Sequence, residues 1–416
     1  MKRKRYYICV TPFFPTPDSW RGAYVLDQVK AIMRNSDYEV RVFMGGNKKE
    51  SDYEIDGIKV YHYKTHELPS NILNGFFNAY NTKSFVKKVL QIGINPQNVA
   101  FVHCHVSMRA ACGLALKKLN PNIKVLLQHH DLDPFNLRSG VLLRNNRFNV
   151  RYRAKKAIAL YNKVDLHICI SEACRECLMS FPKPRPVEVY EDCIRSLKLC
   201  EGLPRIKPKK TYVLYNGVDG RSFKPINVNS QLKVDNTFRI GCIANFSDLK
   251  DHMTLIRAFE KFVKNINLDS AMPTRGFRLS LLGTGETRAM CEKYIHEHGL
   301  DSYLEWPEEV THDKLPEYYH SLNLFILPSY FEGFGCVYTE AYACGVPFMG
   351  VYNQGAAELI APEEQDKWLI QPHDETKLAE LIMNYYKNPC KQILIQPYNI
   401  DDLIKNYLGY LENLLH

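Results

Sequence analysis

Two acidic residues, Glu332 and Glu340, lie in a segment whose other residues are typical of a protein interior. They are eight positions apart in the run PSYFEGFGCVYTEAYACGVPF, which begins at Pro328. Burying a carboxylate is costly unless a cation or hydrogen-bond donors stabilise it. The pair therefore indicates either a capping acid together with a buried salt bridge, or a binding site whose ligand supplies the donors.

The residues around this pair predict a strand (LNLFILPS), a glycine-bearing turn (YFEGFG) and a helix (CVYTEAYACG). Glu332 would then precede a helix N-terminus, where the positive end of the helix dipole keeps a carboxylate ionised. The amides near Gly333, Gly335 and Cys336 could receive an anion or a hydroxyl. Glu340 would lie within the helix, where an ionised carboxylate suits the two adjacent hydroxyls of a diol.

Length and composition predict a folded globular protein of two or more domains, because 416 residues include 45% apolar and 24% charged residues. No apolar run approaches the roughly 18 residues that span a bilayer. The opening MKRKRYYICVTPFFP has too short an apolar stretch for a secretory signal. These features predict a cytoplasmic protein.

The thirteen cysteines stand mostly in apolar contexts, which is typical of reduced core thiols. One spacing invites a zinc interpretation, since Cys174 and Cys177 form a CREC motif with Cys193 and Cys200 downstream. A structural zinc site usually shows two close pairs, and here six residues separate the second pair. A helix face carrying two cysteines is the favoured interpretation.

Charge is divided unevenly along the chain. Residues 1–220 contain 36 Lys and Arg against 19 Asp and Glu, whereas the remainder contains 18 against 26, so the net charges are +17 and −8. The run RSGVLLRNNRFNVRYRAKKAIALYNK has no acidic residue between Asp133 and Asp165. Such a stripe attracts nucleic acid, anionic lipid or a phosphorylated acceptor, or is a solvated helix face.

Strands and helices alternate in both halves of the chain. RYYICVTPF, YEVRVFMG, NVAFVHCHV, IKVLLQHHD and KVDLHICIS predict strands in the first half, and the pattern restarts with FRIGCIAN after the basic connection GLPRIKPKKTYV. This alternation predicts an α/β fold of two doubly wound, Rossmann-like domains. Ligands of such sheets bind at the carboxyl ends of the strands, so a cleft between the domains is the expected site.

The run around Glu332 and Glu340 resembles the Glu-x7-Glu signature of retaining, GT-B-fold glycosyltransferases of family four (glycosyl transferases group 1), of the bacterial capsule, exopolysaccharide or lipopolysaccharide type. In that family the second Glu binds the nucleotide ribose and the first contacts the transferred sugar. The resemblance places these roles on Glu340 and Glu332. It also assigns the turn and the helix start to the donor, namely Gly333, Phe334, Gly335, Cys336 and Val337.

Other segments of the second half resemble the same family. VLYNGVDG resembles the family's segment at the junction between the domains, here residues 216–219. GCIANFSDLKDHMTLIRAF resembles the family's diphosphate-binding loop. The family lysine falls on Lys250, but its arginine partner falls on Asn245, or on Ser247 in one subgroup. One of two cations is therefore missing, and Arg239 or a residue of the basic half are the alternatives that could replace it.

Two further segments of this half complete the predicted donor site. NQGAAELI resembles the family's Gly-Gly-x-x-Glu segment, with Gln354 at the first glycine and with Gly355 and Glu358 in place. LSLLGTGE resembles its strand ending in Gly-x-Gly-Glu and adds Gly283 to the predicted site.

The first half carries three more resemblances. PTPDSWRGAYVLDQV resembles the family's first loop, with Gly22 opening a helix toward the donor phosphates. FVHCHVS resembles its His-x-His strand end. LLQHHDLDPF resembles a stretch whose histidine contacts the donor sugar, which falls on His130; without the resemblance, one buried and one exposed histidine would explain it. Asp131 and Asp133 could suggest a metal pair, but the two-Rossmann layout argues against one.

The resemblance implies transfer of a sugar, with retention and without metal or cofactor, from a nucleotide-diphosphate sugar to a glycan or lipid-linked glycan acceptor. A UDP-sugar is favoured over GDP-mannose, the product is a cell-surface polysaccharide, and nucleic acid is not an expected partner. The basic first domain suits an anionic membrane surface, which would place the protein at the inner face of the plasma membrane. Trp20, Arg21 and Arg109 are the predicted acceptor-side residues, from loop position.

The predicted domains are residues 1–215 on the acceptor side, residues 216–392 for the nucleotide sugar, and a helical segment, 393–416, that in the family packs back on the first domain. Two other functions stay open. A nucleotide-sugar epimerase of the same fold would also grip a diphosphate but would need no acceptor. A degenerate transferase that binds anions or nucleic acid would show a steep salt dependence.

Overall fold

The computed structural model describes residues 5–16, 19–46, 50–69, 72–133, 135, 147–226, 237–268, 276–308 and 310–415. The contacts divide the chain into unit 1, Met1–Asn216 with Ile400–His416, and unit 2, Gly217–Asn399. The predicted boundary at 392 differs from the observed one because the segment before Ile400 bonds to unit 2. Within that segment, the Ile395 amide donates to the Leu359 carbonyl and the Tyr398 carbonyl accepts from the Val218 amide, both at 2.8 Å.

The described part of unit 1 contains an eight-stranded sheet in the order β3-β4-β2-β1-β5-β6-β7-β8. Its neighbours are parallel except for the antiparallel β3–β4 pair. Helices on both faces explain why every residue of the central strand 99–105 is buried. The strands are β1 (Tyr6–Thr11), β2 (Glu39–Gly46), β3 (Tyr53–Ile55), β4 (Ile58–Lys64), β5 (Val99–His105), β6 (Lys124–His129), β7 (Leu166–Cys169) and β8 (Thr211–Val213).

The helices of unit 1 connect these strands and cover the sheet. Helices lie in the connections between parallel neighbours, as a doubly wound sheet requires, except between β2 and β4, where the described residues contain only the strand β3. They are α1 (Ala23–Arg34), α2 (Asn78–Gln91), α3 (Ala110–Lys117), α4 (Arg147–Tyr161), α5 (Glu172–Ser180) and α6 (Glu191–Leu199).

Unit 2 repeats the architecture with a smaller parallel sheet in the order β11-β10-β9-β12-β13-β14. Its strands are β9 (Thr237–Ile243), β10 (Gly276–Leu282), β11 (Leu304–Glu305), β12 (Leu324–Ile326), β13 (Phe348–Val351) and β14 (Leu369–Ile370). Its helices are α7 (His252–Leu268), α8 (Arg288–Glu297), α9 (Leu315–His320), α10 (Cys336–Ala343) and α11 (Glu375–Lys387). The predicted α/β fold of two Rossmann-like sheets is confirmed.

The last helix, α12 (Ile400–Leu415), belongs to unit 1. Its apolar residues recur at helical spacing and join the core formed by α1 and β1. The Asp401 carboxylate accepts from the Arg34 guanidinium and the Asn35 amide, both at 2.8 Å. The Tyr407 hydroxyl lies 3.2 Å from that of Tyr7 on β1. The C-terminal helix is therefore an integral part of the first unit.

Candidate functional site

The turn between β12 and α10 holds Glu332. Gly335 immediately precedes α10 with φ +78°, and a Cβ there would lie 2.6 Å from the Tyr338 ring and 3.2 Å from Glu332 Cγ. Only glycine fits such a backbone easily. The Glu332 amide donates to Gln354 Oε1 at 2.8 Å, and its carbonyl accepts from the Gly355 amide at 3.2 Å. The turn thus fixes the acid just before a helix N-terminus.

The Glu332 carboxylate forms an ion pair with Lys250 Nζ. The two side chains are 13% and 26% exposed, so the pair is largely shielded from water. Their loops are tied together because the Leu249 carbonyl accepts from Ser329 Oγ at 2.9 Å and from the Tyr330 amide at 3.2 Å. The structure therefore brings together two predicted site residues that lie 82 positions apart in the sequence.

Glu340 is the fifth residue of α10 and is buried. Its Oε2 accepts from the Tyr319 hydroxyl at 2.8 Å. Burial and the neighbouring Glu340 charge raise the pKa of Tyr319 well above its usual value, so this hydroxyl stays a donor at neutral pH. The stabilising donor was missed by sequence reasoning, and no signal around Tyr319 in the helix LPEYYH distinguishes it from a core tyrosine.

The loop after β9 carries Asn245 and lies against the loop after β10. A Cβ at Gly283, where φ is +146°, would lie 2.0 Å from the Ala244 carbonyl oxygen. The Phe246 amide donates to the Thr284 carbonyl at 2.8 Å. Asn245 itself is exposed at this edge. Both loops follow the carboxyl ends of neighbouring parallel strands, which is where such sheets bind ligands.

Arg239 lies in the interior of β9 and does not replace the missing arginine. The end of the strand, Ile243, lies four positions further on, which is about 13 Å of extended chain. Its Nε is 3.4 Å from Glu305 Oε1 on β11, and its amide donates to Asn323 Oδ1. The side chain thus belongs to the sheet interior and not to the edge that carries Asn245.

Glu358 lies in a short 3-10 helix, Gly355–Leu359, directly behind the Glu332 turn. A Cβ at Gly355 would lie 2.1 Å from the Gly333 carbonyl oxygen, so the two segments pack backbone to backbone. Gln354, which stands where the family has a glycine, supplies the acceptor for the Glu332 amide. The presence of Gln354 in place of the family's glycine was thus the sequence signal for a side chain that stabilises the Glu332 turn.

In unit 1, Gly22 immediately precedes α1. Its φ is +90°, and a Cβ would lie 2.9 Å from the Phe13 carbonyl oxygen. His130 follows β6 and its Nε2 lies 2.7 Å from Nδ1 of His105, the last residue of β5. On the other side of β6, His129 Nε2 lies 2.9 Å from His167 Nδ1.

Five buried imidazoles of unit 1 are neutral at physiological pH, namely those of His103, His105, His129, His130 and His167. Burial lowers the pKa of His103 and of His130 to about 3 and that of His167 to about 4. The same cause lowers the pKa of His105 and His129 well below the usual value. Because a neutral imidazole has one donor and one acceptor, each of these rings can both accept and donate a hydrogen bond.

A cavity of about 540 Å³ opens in unit 1 beside His130. Its described lining includes Arg21 and Arg109 but not Trp20, which is 44% exposed. Arg109 is largely shielded and its guanidinium lies 3.1 Å from Glu67 Oε1. The cavity thus combines cations, a carboxylate and histidines, a polar lining of the kind that binds hydroxyl-rich ligands.

The described residues contain no cluster of three or more metal-ligating side chains. The Asp131 carboxylate accepts from the Asp133 amide at 3.3 Å, and that of Asp133 from the Phe135 amide at 3.1 Å. Cys174 and Cys177, which were predicted to share a helix face, lie buried on α5.

Among the described residues, no helix combines the length and apolar character needed to cross a membrane.

Two family models match the chain, one in each half. Residues 22–193 match Glycosyltransferase Family 4, and residues 223–403 match Glycosyl transferases group 1. An uncharacterized glycosyltransferase of Methanocaldococcus jannaschii is 23% identical over 397 residues, which cover 90% of each chain.

Solved structures resemble the whole chain. Anabaena HepE in complex with UDP and glucose aligns with a TM-score of 0.65 and 17% identity over 98% of this chain and 100% of that one. The catalytic domain of Arabidopsis thaliana starch synthase IV, bound to ADP and acarbose, aligns with a TM-score of 0.67 and 13% identity over 99% of both. At these identities the likeness establishes the fold.

Together, the two Rossmann-like units and these structural neighbours define the GT-B class of glycosyltransferases. Because family models match both units, the chain belongs to the group 1 glycosyltransferases of family four.

Proposed function

We propose that the protein transfers a sugar, with retention of configuration, from a UDP-sugar to a glycan or lipid-linked glycan during synthesis of a cell-surface polysaccharide. The observation that carries the proposal is the ion pair of Lys250 with Glu332 in the turn before α10, with Glu340 buried in the same helix. A cation, helix-end amides and a hydrogen-bonded carboxylate are what a diphosphate and a ribose require.

Each element has a separate part in the reaction. Glu340 accepts hydrogen bonds from the ribose hydroxyls, and Lys250 with the amides near Gly335 holds the diphosphate. The bond between the anomeric carbon and the phosphate oxygen breaks, and the acceptor oxygen bonds to the same carbon from the same face. The acceptor proton passes to the departing phosphate, on which negative charge develops. Fixed dipoles and Lys250 therefore stabilise the transition state more than the bound substrate.

The cavity of unit 1 is the proposed acceptor site. Arg21 and the Arg109–Glu67 pair offer donors and acceptors to sugar hydroxyls. His130, at its edge, takes the contact to the transferred sugar that the resemblance implies. No metal or cofactor takes part in this proposal.

Nucleotide binding tests the donor site directly. A panel of uridine, guanosine and adenosine diphosphate sugars is added to the purified protein, and thermal unfolding is followed. Ligand at ten times its dissociation constant adds about 1.4 kcal/mol, which corresponds to roughly 3–6 °C for domains of this size. We expect the uridine ligand to shift the wild type and to leave Glu340→Gln unshifted, because the amide has one acceptor oxygen and no charge where the carboxylate has two acceptor oxygens and a negative charge.

The matched control is Glu260→Gln. Glu260 is also buried in unit 2, and its carboxylate accepts from the Tyr294 hydroxyl at 2.7 Å, as that of Glu340 does from Tyr319. This variant should lose stability but keep the full ligand shift. No shift with any nucleotide at millimolar concentration contradicts the donor site. If the protein converts the donor to a nucleotide carrying a different sugar when no acceptor is present, the result contradicts transfer and identifies an epimerase.

The basic first unit is proposed to hold the protein on an anionic membrane that carries the acceptor. The residues 136–146 of the basic stripe lie outside the described residues, but α4 presents Lys155 and Lys156 to solvent beside Phe148, which is 71% exposed. A lysine near an anionic surface contributes about 1 kcal/mol.

Sedimentation with vesicles measures this attraction. We expect binding to phosphatidylserine-containing vesicles to exceed binding to neutral ones and to fall with salt. Reversing Lys155 and Lys156 to Glu should weaken it roughly tenfold or more. The same two reversals at the exposed Lys293 and Lys391 of unit 2 are the control. Equal sedimentation with anionic and neutral vesicles contradicts the membrane proposal.

A further inference from the structure

His105 stands directly behind the proposed sugar contact, His130. His130 Nε2 lies 2.7 Å from His105 Nδ1, and the two rings are nearly parallel with centroids 5.0 Å apart. A hydrogen bond between neutral imidazoles uses one N–H and one lone pair, so the tautomer of one ring determines that of the other. The bond therefore couples the proton position on His130 to a residue one strand away.

His105 is itself rigidly held. It is buried at the end of β5, where its ring stacks on that of His103 with centroids 4.4 Å apart. His103 Nδ1 lies 2.6 Å from the Tyr7 hydroxyl, which lies 3.2 Å from the hydroxyl of Tyr407 on α12. A chain of hydrogen bonds and a stacked ring thus links the C-terminal helix to the position of His105.

His130 also lines the cavity of unit 1. Its ring packs against Phe13 and Tyr24, with centroids 5.8 and 5.1 Å away, and all three residues line that cavity. Nδ1 of His130 is buried and has no hydrogen-bond partner among the described residues. An unsatisfied buried polar atom is costly, and a sugar hydroxyl would satisfy it.

We propose that His105 is a positioning residue, which holds His130 in one ring orientation and one neutral tautomer so that Nδ1 is directed to a substrate hydroxyl. This inference rests on the proposed function in one respect, the contact of His130 with the transferred sugar. A fixed proton position favours the transition state because a ring free to exchange tautomers would offer the correct atom only part of the time.

Three substitutions at His105 separate positioning from packing. The side-chain amide of Asn reaches the position of His105 Nδ1 and can keep the hydrogen bond to His130. The amide of Gln reaches only the position of Nε2, and Leu has no polar group at either position. We expect kcat for sugar transfer to fall roughly tenfold to a hundredfold in His105→Leu and His105→Gln. KM for the donor should change little, and His105→Asn should stay within about threefold of the wild type.

Nitrogen-15 spectra of histidine-labelled protein supply a readout that does not depend on transfer. The His130 signals, assigned with His130→Gln, should show one neutral tautomer between pH 6 and 8 in the wild type and in His105→Asn, and a mixture in His105→Leu. His167→Gln is the matched control: it removes the neighbouring imidazole bond to His129 but keeps a group near the Tyr161 carbonyl. It should leave the His130 signals and kcat unchanged.

Two results overturn the inference. One is an unchanged His130 spectrum in His105→Leu, and the other is equal kcat for the Asn and Leu variants. If the wild type transfers no sugar, the proposed function fails, and the spectra alone decide whether His105 fixes the tautomer.

Discussion

Lys250→Gln is expected to reduce kcat for sugar transfer by roughly 10²–10³-fold, the usual loss when one preorganised charge-stabilising group is removed. Lys250 is the cation in the loop after β9, because Asn245 stands at the family's arginine position and Arg239 lies within the sheet. Negative charge develops on the departing diphosphate, so kcat should fall more than donor affinity. Initial rates over a range of donor concentrations give both values.

Lys264→Gln is the control for this substitution. Lys264 also pairs with a glutamate of unit 2, Glu260, but it is 67% exposed and lies on α7 away from the ligand loops. Its loss should leave kcat within about twofold, since exposed ion pairs contribute little. Comparable losses in the two variants would show that Lys250 acts through stability and not through the diphosphate.

Glu332→Gln is expected to strengthen UDP binding while it lowers kcat. The Glu332 carboxylate is paired with Lys250 in the free protein, so a diphosphate that binds Lys250 would lie next to a second negative charge. Removing the charge should therefore tighten UDP binding by roughly threefold or more, while kcat for transfer falls because the sugar loses its contact. Calorimetric titration with UDP measures the first effect. Weaker UDP binding in this variant contradicts the arrangement.

Local patterns in the sequence were sufficient to identify the site-bearing elements of unit 2. The turn with Glu332 and the helix with Glu340 follow from hydrophobic spacing and from glycine placement, both of which depend on residues close in the chain. The same reasoning overlooked the β3–β4 hairpin and α2. The residues Tyr53–Lys64 alternate around Asp56 and Gly57, a hairpin signal, but their mixed polar side chains hide the pattern.

Contacts between distant segments could not be predicted. The partners of His130 and His129 follow from the lateral order β5-β6-β7, which places His105 and His167 on the strands to either side. Strand order is a property of the whole sheet and leaves no trace in the spacing around each histidine. The donor that Tyr319 supplies to Glu340 was missed for the same reason.

The buried histidines should make unit 1 unstable in acid. His103 and His130 have a pKa of about 3 and His167 of about 4 in the folded protein, because burial disfavours the charged ring. In the unfolded chain a histidine titrates near 6.5. Below that pH the unfolded state binds more protons than the folded state, so stability is complete above about pH 6.5 and is lost as the pH falls toward 3–4.

The expected loss is large. Each such histidine costs about 1.4 kcal/mol per pH unit below 6.5, so the three with numerical values together cost about 6 kcal/mol at pH 5. That is comparable to the whole stability of a typical domain. His105 and His129, whose pKa values are also lowered by burial, add to the same slope. We therefore expect unit 1 to unfold cooperatively between about pH 6 and 4.

Hydrogen exchange followed by mass spectrometry can measure this in each unit separately. Peptides covering β5, β6 and β7 should lose protection steeply below pH 6, after correction for the intrinsic pH dependence of exchange. Unit 2 provides the internal comparison: among its described residues, His252 is buried with a pKa of about 4, lowered by burial and by Lys250. Its β9 and β10 peptides should therefore respond with a slope of about one proton.

Substitution of single histidines tests the origin of the slope. His167→Gln should remove about one proton from the pH dependence of unit 1, even though it lowers stability at pH 7 by breaking the bond to His129. His252→Leu should instead change only unit 2, and at pH 7 it should be neutral or stabilising because neither ring nitrogen has a partner among the described residues. Equal slopes in the two units of the wild type would contradict the assignment, because the buried imidazoles lie mainly in unit 1. A slope of that size would then have to come from carboxylates, which both units contain.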